Sequence, residues 1–186
     1  MTKKIKNIAC DINYCFYICV VNDIIYKSNN KKYNIMNAQV SIDILQLFAT
    51  GLSAQSYAHK VQGKVFASQG LSVLGDKYSE HSSEEMGYVE KFIDRILDLG
   101  GSPKVQAAPE AKIFSNPVDF LKEDYKVSVN GIELLRKSMD AVKEDVTTYD
   151  ILKEYLKDEE QDMYWSEQQL SLIDMIGLQN WLVKQL

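Results

Sequence analysis

Glu85 and Tyr88 lie three residues apart, and so do Glu159 and Asp162. On a helix this spacing puts both members of a pair on one face. Each pair falls on an apolar seam, so three carboxyl groups are directed toward a shared interior. A buried carboxylate without a partner is very costly. Three of them require a cation, a proton each, or a basic partner. The seams hold no lysine, and Arg95, just beside the second seam, is the nearest arginine. Oxygen ligands brought in i, i+3 pairs by two helices are how metal sites are assembled in bundle cores. A metal held by Glu85, Glu159 and Asp162, with Tyr88 or water completing the set, is the economical answer. Acids that are protonated or bridged by water are the alternative. His59 and His81, the two histidines, also lie on seams, where an imidazole is commonly a hydrogen-bonded core residue. The thiols Cys10, Cys15 and Cys19 are confined to the first twenty residues, and their CxxxC spacing has no second ligand pair to make a metal site. No Gly-rich phosphate loop, Ser-His-Asp arrangement or zinc-type Cys/His cluster is present.

The elements that position these side chains are helical. Breakers are few: Gly70, then Gly100-Gly101-Ser102-Pro103, then Asn116-Pro117, then Asp145 with Thr147-Thr148. They predict helices at roughly 38–67, 72–99, 117–144 and 148–175, with a short terminal helix from about 178. Apolar residues recur at alternating steps of three and four. The first seam runs Ile42, Leu45, Ala49, Leu52, Ser56, His59, Gly63, Phe66. The second includes Leu74, Tyr78, His81, Glu85, Tyr88, Phe92 and Ile96, and the third Leu121, Tyr125, Ser128, Ile132 and Leu135. The fourth carries Leu152, Tyr155, Glu159, Asp162 and Ser166. Helices of about 28 residues, roughly 40 Å long at ~1.5 Å per residue, predict a long four-helix bundle. The 100–116 connection is too long for a tight turn and is expected to cross the length of that bundle.

Composition agrees with one globular domain: 186 residues, 46% hydrophobic and 25% charged, with 9 Gly and 3 Pro. No apolar run reaches a membrane span. Charge is uneven. Residues 1–35 hold six lysines against two acids, and the remainder carries the whole of the acidic excess behind the net charge of -5. Residues 1–35 are therefore expected to be an N-terminal extension, disordered or outside the native product, which would then begin at Met36. Their apolar stretch is short and interrupted for a secretory signal. An acidic body from 36 to 186 argues against nucleic-acid binding.

The run Asp158-Glu159-Glu160-Gln161-Asp162-Met163-Tyr164-Trp165, continuing to Gly177-Leu178-Gln179-Asn180-Trp181-Leu182, resembles the ferritin-like superfamily, and its bacterioferritin branch in particular. So does Ser83-Glu84-Glu85-Met86-Gly87-Tyr88, followed by Asp94-Arg95-Ile96 and Leu99-Gly100-Gly101. The likeness spans Met36 to the end. It implies an all-α ferritin-like four-helix bundle over 36–186, with one long crossover and a short C-terminal fifth helix. It also implies cytoplasmic iron storage in a homo-oligomeric shell that takes up Fe2+ and oxidises it at a di-iron ferroxidase centre.

That centre is incomplete here. Glu85 and Glu159 match the family's bridging carboxylates, but Tyr88 and Asp162 stand where its histidines belong. The helix-three Glu falls on Ser128, and the helix-one Glu falls near Thr50 or Gly51. A partly degenerate ferroxidase or an inactive shell subunit is the consequence. Met86 occupies the family's axial haem position, so haem b joins non-haem iron among the cofactors the likeness implies. His59, Gly63 and Phe66, followed by Glu90 and Asp94 before Arg95-Ile96, are similar to the DNA-protection miniferritins (Dps), which implies an intersubunit metal site at His59, Glu90 and Asp94. The terminal helix favours 24 subunits over the 12 of the smaller shells. DNA and membranes are not expected partners.

Overall fold

Helix ends follow from capping chemistry. Asn116 accepts hydrogen bonds from the Val118 and Asp119 amides, and Pro117 fills the first helical position, where no amide donor is needed. Asp145 accepts from the Thr148 amide in the same way. The computed structural model describes residues 20–24 and 37–186. They form α1 (20–24), α2 (Asn37–Ser68), α3 (Ser72–Asp98), α4 (Pro117–Ala141), α5 (Val146–Ile176) and α6 (Leu178–Val183). No strand occurs among the described residues. The fold is an all-α bundle of the expected kind, α2 to α5 being its four long helices.

The third long helix stops three residues before its expected end at 144. The Val142 amide closes onto the Ser138 and Met139 carbonyls, and the next residues are needed for the turn that presents Asp145 as a cap. At that end Asp145 also receives the Arg95 guanidinium at 2.8 Å and the Ser41 hydroxyl at 2.7 Å, which ties α2, α3 and α5 together. Arg95 is thereby committed at the bundle's end and is not the basic partner of the seam acids.

The connection from α3 to α4 runs back along α2, clipped to it by glutamines. Gln46 pairs with both backbone groups of Lys104, Gln62 with both of Phe114, and Gln69 donates to the Ser115 carbonyl. This is the long crossover, and it starts α4 at the same end as α3. The two run parallel, with α2 and α5 antiparallel to them. Near this upper end α2 and α3 approach at Gly63 and Gly75. A Cβ on Gly63 would lie 2.7 Å from the Gly75 carbonyl oxygen, so only glycine fits.

The core has two apolar clusters. The lower one holds Ile44, Phe48, Phe92, Ile96, Leu135 and Leu152; the upper one holds Phe66, Leu74, Tyr78, Phe120, Leu121 and Trp181. Trp181 brings α6 back onto the bundle, its indole donating to Gln169. Of the expected extension only 20–24 is described, and there Val21 is fully buried in the lower cluster. The remainder of that expectation lies outside the described residues. No helix among the described residues is long and apolar enough to cross a membrane. Between the two apolar clusters lies a buried layer of polar side chains.

Candidate metal centre

All four long helices feed that layer. His81 and Glu85 lie one turn apart on α3, so both face inward. α2 supplies His59, α4 supplies Asp124, and α5 supplies Glu159 and Asp162. His59 bridges two acids, with Nδ1 2.9 Å from Glu85 Oε2 and Nε2 3.2 Å from Asp124 Oδ1. Its ring stacks on that of His81 at 4.8 Å between centroids and 15° between planes. His81 Nε2 contacts Asp162 Oδ2, and Lys77 Nζ lies 3.5 Å from the other Asp162 oxygen. Asp124 Oδ2 accepts from the Tyr78 and Ser166 hydroxyls at 2.9 and 3.0 Å. The Tyr155 hydroxyl donates to Glu159 Oε1 at 2.5 Å.

Proton affinities follow from these contacts. Burial pulls the His59 imidazole down, but Glu85 and Asp124 outweigh it and hold His59 well above its ordinary value. His81 is likewise raised: burial works against this, while the hydrogen bond to Asp162 and the charge of Glu85 prevail. Burial would lift Asp124, yet the hydrogen bond and charge of His59 bring it below the usual carboxylate range. Glu159 moves the other way. Burial pushes it up to about 7 against the pull of the Tyr155 hydrogen bond, with the Glu85 charge adding to the rise. The metal-free layer thus offsets its acids by favouring protonated imidazoles, together with Lys77 and a partly protonated Glu159.

Two atoms of the layer have no partner: His81 Nδ1 and Glu85 Oε1 are both buried and unbonded. Buried polar atoms are seldom left so, and each asks for an explanation. His59, His81 and Glu85 each offer a ligand atom within 4.8 Å of the others. Two imidazoles and a carboxylate, with Asp124, Glu159 and Asp162 around them, form a donor set suited to iron and similar divalent metals. The site therefore fits a metal by its chemistry and by its orphaned atoms.

Of the residues expected from sequence, Glu85, Glu159 and Asp162 all lie in this layer, at 1%, 5% and 8% exposure. Tyr88 is half-buried one turn below Glu85, its ring 5.1 Å from that of Tyr155 and capped by the Lys91 ammonium at 4.7 Å. Its ring packs on the lower apolar cluster rather than among the carboxylates. Met86 is exposed on α3. The intersubunit set is not brought together within the chain. Glu90 and Asp94 are exposed, whereas His59 points into the bundle and is engaged by Glu85 and Asp124. Thr50 bonds to the Gln46 carbonyl and to Gln106 of the crossover, outside the layer.

Four participants have roles that the sequence does not reveal. Both histidines serve the acids rather than merely filling the core. Lys77, adjacent to the seam residue Tyr78, is a basic partner the seams were thought to lack. Asp124 was missed because the third seam was drawn through Tyr125. The buried residues at this depth are Leu121, Asp124 and Ser128, a step of three followed by four that fits the helical period equally well. The signal was an acid sharing a stripe with Leu121 and Ser128.

Residues 48–176 match the ferritin-like domain family. The chain is 32% identical over 151 residues to a bacterial ferritin of Neisseria meningitidis serogroup B, covering 80% of this chain and 97% of that protein. It is 30% identical over 148 residues to a bacterial ferritin of Pseudomonas aeruginosa, 78% of this chain and 96% of the relative. A bacterioferritin of Rhodobacter capsulatus is 33% identical over 114 residues, 60% of this chain and 71% of the relative. With its bundle, its crossover and its buried ligand layer, the chain belongs to the ferritin-like superfamily, in the bacterioferritin-like branch.

Proposed function

We propose that this protein binds and stores iron, taking Fe(II) into the bundle at His59, His81 and Glu85. The observation that carries the reading is the pair of orphaned atoms, Glu85 Oε1 and His81 Nδ1, inside a buried layer whose ligand atoms converge within 4.8 Å. The names of the relatives, bacterial ferritin and bacterioferritin, support iron as the cargo. Iron held there supplies the one-electron Fe(II)/Fe(III) couple. The chain's residues do the rest. His59 and His81 exchange their protons for the metal, and Glu85 offers its unbonded oxygen. Asp162 holds His81 in place, and Tyr78 and Ser166 keep Asp124 oriented toward His59. Glu159 lies close enough to Glu85 to feel its charge and is the carboxylate available for a change of ligation. Beyond the layer, half-buried Asp158, pushed up to about 6 by burial and by Asp162, extends the negative potential that draws cations inward.

The storing form is a homo-oligomeric shell, with 24 subunits favoured by the docked terminal helix. Exposed apolar side chains suit subunit contacts: Tyr57 and Met86 on α2 and α3, and Met175, Leu178 and Val183 around α6. Met86, exposed on α3, stands where a haem shared by two subunits would find an axial ligand, and a Soret band in the purified protein tests it. Anaerobic Fe(II) titration followed by mixing with dioxygen tests the main reading. Wild type should take up iron and oxidise it, and Glu85→Ala should lose the high-affinity phase. Equal uptake by both proteins overturns the proposal. Native mass spectrometry gives the subunit number.

A further inference from the structure

We propose that the Lys77 ammonium stands in for a second cation, so that each chain takes one divalent metal ion in its core rather than two. The proposal rests on the metal-binding reading above. Lys77 lies one turn before His81 on α3, which lies one turn before Glu85, so all three reach the same side of the helix. Its Nζ is 3.5 Å from Asp162 Oδ1, while Asp162 Oδ2 is taken by His81. The indole of Trp165 lies under the ammonium at 5.4 Å, a cation–π contact that holds the charge beside the carboxylate. Lys77 is only 28% exposed, so its charge acts on the layer rather than being spent on solvent. Asp162 is thus a carboxylate shared between a histidine on its metal side and a fixed cation on the other.

Charge counting points the same way. The layer contains four carboxyl groups: Glu85, Asp124, Glu159 and Asp162. Histidine ligands are neutral. One divalent ion and the Lys77 ammonium offset three carboxylates, and the fourth, Glu159, is stabilised by the Tyr155 hydroxyl at 2.5 Å. Two divalent ions with the ammonium would place an uncompensated positive charge in a buried layer, which is costly. Without the ammonium, two divalent ions and four carboxylates balance. Lys77 therefore sets the number of metals as well as lining the site.

The test uses the full chain, stripped of metal and titrated with Co(II) by calorimetry, with cobalt counted after desalting. Cobalt retained by a His59→Ala/His81→Ala double variant is subtracted as surface-bound. Wild type and Lys77→Arg should each bind one core cobalt. Lys77→Met, which keeps the apolar stem against Trp165, should bind two. Should circular dichroism show that Lys77→Met has not folded, Lys77→Gln takes its place with the same expected count. A wild type that binds two, or a folded charge-free variant that stays at one, overturns the assignment. A wild type that binds none overturns the metal-binding reading itself.

Discussion

Metal uptake by this layer should be an exchange of protons for a cation, and the proton count can be predicted. Both imidazoles have raised pKa values in the metal-free protein, because Glu85, Asp124 and Asp162 favour the protonated rings over the opposing effect of burial. Both rings are thereby biased toward their protonated forms in the metal-free protein. A ligating imidazole must be neutral, so binding one divalent ion at His59 and His81 expels up to two protons per chain. Glu159, with a pKa of about 7, is roughly half protonated at pH 7 and adds about half a proton if it also ligates. Protons and metal compete for the same lone pairs, so affinity falls as pH falls. Below the pKa values of both rings, where two protons compete, the loss is about a hundredfold per pH unit, or ~2.7 kcal/mol. Raising the pH through the imidazole pKa values removes the competition. Calorimetry with Co(II) in buffers of different ionisation enthalpy reads the released protons directly, and repeating it at pH 6, 6.5 and 7 reads the slope. His59→Ala should release fewer protons than wild type and bind more weakly. Proton release near zero from wild type at pH 7, or a pH-independent affinity, would refute the claim that these imidazolium ions occupy the place of the metal.

Other perturbations test the frame. Asp145→Ala removes the α5 cap and the Arg95 and Ser41 contacts, and should cost ~1–2 kcal/mol in urea melts at pH 7. Asp145 has a depressed pKa in the fold because its hydrogen bonds to Thr148, Ser41 and Arg95 outweigh burial. Its contribution is thus complete above the ordinary carboxylate pKa and is lost as pH falls through the lower, folded value, so wild type and variant should converge in acid. Gly75→Ala would set a Cβ 2.9 Å from the Gly63 carbonyl oxygen and 3.0 Å from the Ala67 Cβ, forcing α2 and α3 apart, and should cost ~1–3 kcal/mol by thermal melting. Trp181→Ala empties a fully buried site in the upper cluster and should cost ~3–5 kcal/mol, with protease sensitivity appearing first around α6; unchanged proteolysis would show that α6 is not held by its indole.

The bundle was legible because its information is periodic and redundant. A seam of seven or eight apolar positions tolerates one misplaced residue, and caps such as Asn116 and Asp145 act within three residues of themselves. The ligand layer is neither periodic nor local. Drawing the third seam through Tyr125 rather than Asp124 changes nothing about the fold, yet it loses an acid that His59 touches. Lys77 was passed over because it lies beside the seam, and a long flexible stem lets its charge reach where its Cα does not. His59 has two expected roles, a core hydrogen bond and an intersubunit ligand, and it is the packing of α2 against α3 and α4 that engages it with Glu85 and Asp124 inside the bundle. Spacing tells which residues share a face; it does not tell which partner arrives from across the bundle.

That distinction bears on how the centre can exist before metal arrives. Asp124 is satisfied by His59, Tyr78 and Ser166, Asp162 by His81 and Lys77, and Glu159 by Tyr155. Each of these groups would be costly to bury alone, and each has a hydrogen-bond or ionic partner drawn from the protein itself. These three acids are therefore satisfied without a cation, unlike the ligands of small domains whose structure depends on the metal. What the bundle leaves open is narrow: one oxygen of Glu85 and one nitrogen of His81, on adjacent turns of α3, with the stacked His59 ring bonded to the other Glu85 oxygen. A cation entering there meets the unbonded Glu85 oxygen at once and displaces protons to gain the imidazole nitrogens. Stability without metal and affinity for metal are thus produced by the same side chains, differing in where the protons are.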